Sequence, residues 1–134
     1  GRVIAGFTTH ELGVVAMYCT DPDLGEWFAT AYVNVKKPID RWMRRQTAVG
    51  AMDESEDRSL LAYMTALGLS YKPGCGPGII GPGLTRMRTQ LARHGTAAAT
   101  SEGTRRHWWR ILSHNATDLE ATQLLTLRAL GGDH

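Results

Sequence analysis

The chain has 134 residues, of which 43% are hydrophobic and 21% are charged, as in an ordinary globular protein. Its size suits a single domain over residues 1–134. No apolar run reaches the ~20 residues of a membrane-spanning helix, so we expect no membrane association through such a helix. The two cysteines, Cys19 and Cys75, are too few for a disulfide framework, which favours a cytoplasmic or otherwise intracellular location.

The net charge is only +2, but the charged residues are arranged in blocks. The side-chain charges of the successive blocks are −3 for residues 1–34, +4 for 35–50, −3 for 51–60, +6 for 61–116 and −2 for 117–134. Twelve of the fifteen basic residues are arginine, whose planar guanidinium group suits phosphate recognition. A GC-rich genome gives the same arginine bias, so this composition alone does not decide between the two explanations.

The spacing of apolar residues predicts an all-α fold, a compact bundle of about seven short helices. The first helix opens with a capping-box pattern, Thr8 followed three residues later by Glu11. The second begins at Asp21-Pro22, an N-cap followed by proline at the first helical position. Its apolar stripe consists of Leu24, Trp27, Phe28, Ala31 and Val35.

Residues 29–35 also alternate in hydrophobicity as a β-strand does. We favour a helix there because the 3.6-residue pattern is longer and includes both large aromatic residues. A strand in this segment would change the fold class, and a short strand near Val3–Phe7 is a second alternative.

A third helix is predicted from Pro38 to about Gly50, and a fourth begins at Asp53 or Ser55 and stops at Gly68. The third helix is expected to direct four apolar side chains into the core: Ile39, Trp42, Met43 and Val49. The core-facing residues of the fourth are Leu60, Leu61, Met64 and Leu67.

Residues 70–83 contain five glycines and three prolines, which predicts an irregular loop between a four-helix part and a three-helix part. The fifth helix follows and stops at Gly95, the sixth starts near Ser101, and a second capping box at Thr117–Glu120 opens the seventh. The predicted core residues of these helices are Leu84, Met87, Leu91, Trp108, Ile111, Leu112, Leu124, Leu127 and Leu130. The four tryptophans and the leucine and methionine stripes are expected to form the core.

Basic residues on the predicted helices favour nucleic-acid binding, because arginine pairs with phosphate and tryptophan offers a stacking surface. The residues assigned to this role are Arg41, Arg44, Arg45, Arg86, Arg88, Arg93, Arg105, Arg106, Arg110 and Trp109. The alternative is that these helix faces are only solvated. In that case the i, i+4 pairs Asp40–Arg44, Glu54–Arg58 and Glu102–Arg106 balance the charge, and Trp108 and Trp109 lie in the core.

Two other functional classes stay open. The charge blocks also suit a protein-interaction or self-assembling module, such as a coat, scaffold or inhibitor-like subunit. A small enzyme is the third hypothesis, because Gly76–Gly81 formally matches G-x-G-x-x-G and precedes a helix, where an anion or nucleotide would bind. No convincing strand precedes that loop, and no hydrolase or metal-ligand motif is present. The sequence therefore favours a non-enzymatic module with no cofactor and no metal. We expect His107 and His114 to be surface or capping residues.

Overall fold

The computed structural model describes residues 2–131. These residues form two short strands and six α-helices: β1 (Ile4–Gly6), α1 (His10–Tyr18), α2 (Pro22–Ala31), β2 (Tyr32–Asn34), α3 (Lys36–Ala48), α4 (Leu60–Ala66), α5 (Ile80–His94) and α6 (Glu102–Gly131). A 3₁₀ turn at Ala97–Ala99 precedes α6. The all-α fold class is confirmed, with six helices in the described part where about seven were predicted. None of these helices is both long and apolar enough to span a membrane.

The contacts within the chain define two units. Unit 1 consists of the described residues of Gly1–Leu67 and Thr122–His134, and unit 2 is Gly68–Ala121. The four helices predicted before the Gly/Pro-rich loop all belong to unit 1. The single domain expected for residues 1–134 stays a prediction.

Strands β1 and β2 of unit 1 pair in parallel, with Ala5 opposite Val33. Helix α2 starts as predicted, because the Asp21 carboxylate accepts hydrogen bonds from the first-turn N–H groups at 3.0 and 3.1 Å. The helix predicted to continue to Val35 ends at Ala31, so that prediction is wrong for residues 32–34. These residues pair with β1 along one edge instead, and the strand alternative is correct for all three.

The core of unit 1 forms around α3, which contributes three of its buried side chains. Its buried members are Val35, Ile39, Trp42, Met43, Tyr63 and Leu125. Val49, predicted to face the core, is 75% exposed because it follows the last turn of α3. The predicted cap of α4 at Asp53 or Ser55 is also wrong, since Ser59 caps this helix by accepting the Ala62 N–H at 3.1 Å.

Helix α6 is continuous where two helices were predicted. The hydroxyl of Thr117 donates to the Ser113 carbonyl oxygen at 3.0 Å, so it bonds within the helix instead of capping a new one. The helix buries Leu125 completely and leaves Leu127 and Leu130 62% and 69% exposed. The predicted core register of this segment was therefore wrong.

Helix α5 begins at Ile80, so the last four residues of the predicted loop 70–83 are helical. It ends as predicted, because Gly95 adopts a left-handed conformation with φ of +77° and donates to the Leu91 carbonyl oxygen at 2.8 Å. Met87 is buried as predicted, but Leu84 and Leu91 are 46% and 37% exposed.

The tryptophans do not form the core together. Trp42 is buried, Trp108 is half-buried, and Trp27 and Trp109 are 49% and 69% exposed. Three of the four rings therefore keep a face towards solvent, which corrects the prediction.

Candidate nucleic-acid interface

The two units carry opposite charge. Unit 2 has seven basic and three acidic side chains, which gives it a net charge of +4 with histidine neutral. The sequence ranges of unit 1 hold eight basic and ten acidic side chains, for a net −2. The small net charge of the chain therefore conceals a strongly basic unit 2.

Unit 2 is built on α5 and the first part of α6, which run antiparallel. At one end of their crossing Gly83 lies against His107 and Ile111, and at the other the Gln90 side chain accepts the Ser101 N–H at 3.4 Å. A Cβ at Gly83 would lie 2.4 Å from His107 Cδ2, so only glycine permits this approach. The close crossing fixes how the arginines of the two helices are spaced.

Six of the predicted arginines belong to unit 2, and all six are exposed: Arg86, Arg88, Arg93, Arg105, Arg106 and Arg110. Arg86 and Arg93 are seven residues apart, which places them on the same side of α5. The guanidinium group of Arg86 lies over Gly103 of α6, 3.6 Å from where a Cβ would stand. Arg110 lies similarly against Gly74 of the preceding loop, at 3.8 Å.

Two of the six arginines are held by the protein itself. Arg105 donates to the carbonyl oxygens of Ala98, at 3.0 Å, and Thr100, which ties the 3₁₀ turn to α6. Arg106 forms an ion pair with Glu102 at 2.7 Å on a fully solvated face, as the i, i+4 spacing predicted. The other four make no ion pair with any carboxylate in residues 2–131.

Trp109 lies on α6 beside these arginines. Arg105 and Arg106 precede it by four and three residues, so they are its neighbours on the helix surface. Its 69% exposure contradicts the alternative in which both tryptophans of the Trp108-Trp109 pair are largely in the core. The structure thus places an exposed indole ring among exposed arginines.

The other three predicted arginines, Arg41, Arg44 and Arg45, are exposed on α3 of unit 1. Arg44 Nε donates to the Asp40 carbonyl oxygen at 3.3 Å, and the predicted Asp40–Arg44 ion pair does not form. The predicted Glu54–Arg58 pair is also wrong, because residues 53–58 are not helical. All three arginines of α3 thus lie in unit 1, whose net charge is negative, and not in unit 2.

Asp40 instead belongs to a polar cluster that sequence reasoning missed. Its carboxylate binds Lys36 Nζ at 3.1 Å and accepts from the Tyr63 hydroxyl at 2.5 Å. Burial and the neighbouring Asp40 raise the pKa of Tyr63 well above its ordinary value. Lys36 also lies over the rings of Phe7 and Tyr63, 5.0 and 5.4 Å from their centroids. Each group in this cluster has a partner, so we interpret it as a structural element of unit 1.

A second missed cluster surrounds His114, which is buried and not at the surface as expected. Its Nδ1 donates to the Cys75 carbonyl oxygen at 2.8 Å, and its Nε2 lies 3.2 Å from the Asp118 carboxylate. Tyr71 stacks on the imidazole at 4.6 Å and donates its hydroxyl to Asp118. Burial, followed by the bond to Asp118, raises the pKa of Tyr71. The cluster anchors the Gly/Pro-rich loop to α6 within unit 2.

No metal-binding group of three or more histidine, cysteine or acidic side chains occurs within residues 2–131. The G-x-G-x-x-G segment precedes and enters the first turn of α5, and between β2 and α5 the described chain contains no strand. Pro77 lies within this segment and has no N–H group to offer a phosphate. The hypothesis of a nucleotide-binding enzyme stays a prediction.

Comparison with protein-family profiles, curated proteins and solved structures finds no match to this chain.

Proposed function

We propose that the chain is a non-enzymatic nucleic-acid-binding module and that unit 2 carries the binding surface. The observation that supports this most is the concentration of six exposed arginines in a unit with only three acidic side chains. Nucleic acids present a dense row of phosphates, and each phosphate that an arginine neutralises releases condensed counterions. The net charge of +4 in the 54 residues of unit 2 attracts such a polyanion.

The arrangement of the arginines adds to this proposal. Arg86, Arg88, Arg93 and Arg110 are not paired with carboxylates of the described chain, so their guanidinium groups are available to an external anion. A guanidinium group binds phosphate through two parallel N–H donors, which a lysine does not offer. Because α5 and α6 cross tightly at Gly83, the backbone positions of these arginines are fixed before binding, and only their side chains have to be ordered by the ligand.

The proposal is tested by removing equal charge from the two units. We compare Arg86→Gln/Arg93→Gln in α5 with Arg41→Gln/Arg45→Gln in α3, using fluorescence anisotropy of labelled DNA and RNA oligonucleotides. The α5 pair is expected to weaken binding by roughly tenfold or more at low salt, since two phosphate contacts and their counterion release are lost. The α3 pair is expected to have a much smaller effect.

Equal losses in both double variants would show that binding follows the total charge of the chain and would contradict a surface in unit 2. The absence of any binding by the unmodified chain would refute the proposed function. Circular dichroism of each variant establishes that the helices are retained.

A second candidate function is protein interaction or self-association, and the N-terminal helices of unit 1 favour it. Neither α1 nor α2 has a buried residue, and both leave large apolar side chains in solvent: Val14, Met17, Tyr18, Leu24 and Trp27. Residues 3–35 hold four acidic side chains and no lysine or arginine. An apolar surface with an acidic surround is typical of a protein-docking site.

Sedimentation velocity at several protein and salt concentrations tests this candidate. Self-association through this surface is expected to shift the sedimentation coefficient with protein concentration and to weaken in Trp27→Ala. A monomer at all concentrations would exclude self-association.

A further inference from the structure

We infer that the nucleic acid bound by unit 2 is single-stranded and that an unpaired base stacks on Trp109. This inference rests on the proposed function and narrows its ligand class. Arginine–phosphate contacts alone do not distinguish a single strand from a duplex, because both present phosphates. The indole ring is the feature that makes the distinction.

The exposure of Trp109 is not explained by the fold of unit 2. Its side chain is 69% exposed, whereas the adjacent Trp108 is half-buried and Ile111, two residues later, is 2% exposed. Helix α6 therefore directs Ile111 inwards and leaves the largest apolar side chain available to a ligand. What distinguishes this ring from other exposed apolar side chains is that arginines lie next to it on the helix, an arrangement suited to a nucleic-acid base and its phosphates.

Trp109 is placed so that a base can stack on its ring while neighbouring arginines bind the phosphates of the same strand. Arg105 and Arg106 lie one helical turn before it, and Arg110 follows it directly. The ion pair between Arg106 and Glu102 is solvent-exposed, so a phosphate can replace the carboxylate at little cost. The bonds from Arg105 to the carbonyl oxygens of Ala98 and Thr100 hold that side chain close to the helix.

A duplex does not fit this arrangement. In a double helix both faces of each base are already stacked, so a ring on a helix surface gains a stacking partner only by intercalation and unstacking. In a single strand the base faces are free, and stacking on an aromatic side chain is favourable for any base. Trp109 lies in the third turn of α6, so the backbone that carries the ring is already fixed before binding, which favours tight binding.

The test compares Trp109→Leu with a control on the same helix, Leu119→Ala, because both side chains are 69% exposed. Binding of oligo(dT), oligo(rU) and a DNA duplex of equal length is measured by anisotropy at one low salt concentration. We expect the unmodified chain to prefer both single strands over the duplex. Trp109→Leu is expected to weaken single-strand binding by about 5- to 150-fold, the effect of losing one stacked base, and to leave duplex binding unchanged.

Leu119→Ala is expected to bind like the unmodified chain, and Trp109→Phe is expected to recover part of the lost affinity because it restores an aromatic face. Tryptophan fluorescence gives a second readout, since quenching by oligo(dT) should disappear in Trp109→Leu and persist in Leu119→Ala. Melting curves of the variants separate loss of binding from loss of folding.

The inference is overturned if Trp109→Leu binds single strands as tightly as the unmodified chain, or if the duplex binds equally well. Either result leaves the proposed function intact, because both still require binding by the arginines. A third result, dissociation of an oligomer by Trp109→Leu without any change in single-strand affinity, would assign this ring to a protein interface and overturn the inference. Failure of the unmodified chain to bind any oligonucleotide would refute the proposed function itself.

Discussion

The close approach of α5 and α6 at Gly83 predicts that Gly83→Ala destabilises the protein. The added Cβ would stand 2.4 Å from His107 Cδ2 and 2.5 Å from Ile111 Cδ1, whereas carbon atoms in contact are normally about 3.5–4.0 Å apart. Both neighbours must therefore move by roughly 1 Å. Ile111 is 2% exposed, and His107 Nε2 lies 3.3 Å from the Ile79 carbonyl oxygen, so neither moves freely.

Overpacking of this kind costs about 1–3 kcal/mol of unfolding free energy. The usual gain from replacing a helical glycine by alanine, about 0.5–1 kcal/mol, offsets only part of this cost. The net cost is therefore about 1 kcal/mol, and with a urea slope of about 2 kcal/mol per molar the unfolding midpoint is expected to fall by roughly 0.5 M.

Gly103→Ala is the matched control on the opposite helix of the same pair. The nearest atom to its added Cβ is the Arg86 guanidinium nitrogen at 3.6 Å, an ordinary contact with a flexible side chain. This variant is expected to be as stable as the unmodified chain or slightly more stable, by up to about 0.5–1 kcal/mol. A Gly83→Ala chain with an unchanged or higher urea midpoint would show that α5 and α6 have room for a side chain at this position.

Two further predictions concern stability. In α6, Leu125→Ala is expected to lower the free energy of unfolding in urea by about 2–5 kcal/mol, because Leu125 is completely buried. Leu127→Ala, at a 62% exposed position, should change it by less than about 0.5 kcal/mol. Comparable effects of the two variants would contradict the register of α6. Stability is also expected to fall as the pH rises above about 10, because Tyr32, Tyr63 and Tyr71 have pKa values raised by burial and by bonds to carboxylates. The unfolded chain then loses phenolic protons that the folded chain keeps. Tyr71→Phe should flatten this dependence, and a stability that stays constant between pH 9 and 11 would contradict it.

Local signals predicted only some of the helix boundaries that capping residues decide. Ser59 was missed as the cap of α4, and the predicted capping box at Thr8 does not cap α1, whose N-cap is Thr9 without a side-chain bond. The Asp21 cap and the Gly95 stop were both correct, because each is determined by hydrogen bonds within a few residues of the chain. The second predicted capping box, at Thr117, is wrong because its residue types are equally compatible with the interior of a helix.

Features that depend on distant residues were not predicted. Strands near Val3–Phe7 and within residues 29–35 were predicted only as alternatives, because nothing local to either segment shows that the two pair across 28 positions. The bond between Tyr71 and Asp118 joins residues 47 positions apart. The burial of Leu125 in place of Leu127 likewise depends on what packs against α6.

The candidate site was predicted in part. The sequence identified the arginines of unit 2 and Trp109 by residue type and spacing, but it did not show that this tryptophan is exposed while Trp108 is half-buried. It also grouped Arg41, Arg44 and Arg45 with the rest, although the structure assigns them to the net-negative unit. The +6 block at residues 61–116 nearly coincides with unit 2, but the sequence did not show that the +4 block at 35–50 belongs to a unit in which acidic side chains outnumber basic ones.

The salt dependence of oligonucleotide binding tests phosphate recognition by unit 2. If the four arginines of unit 2 without a carboxylate partner, together with Arg106 of the exposed ion pair, each neutralise a phosphate of a single strand, the logarithm of affinity falls against the logarithm of salt concentration with a slope of about −3.5. Between 50 and 200 mM salt this slope corresponds to a loss of roughly 130-fold in affinity. A slope near that value supports phosphate recognition by unit 2, and an affinity that is undetectable or independent of salt would contradict it.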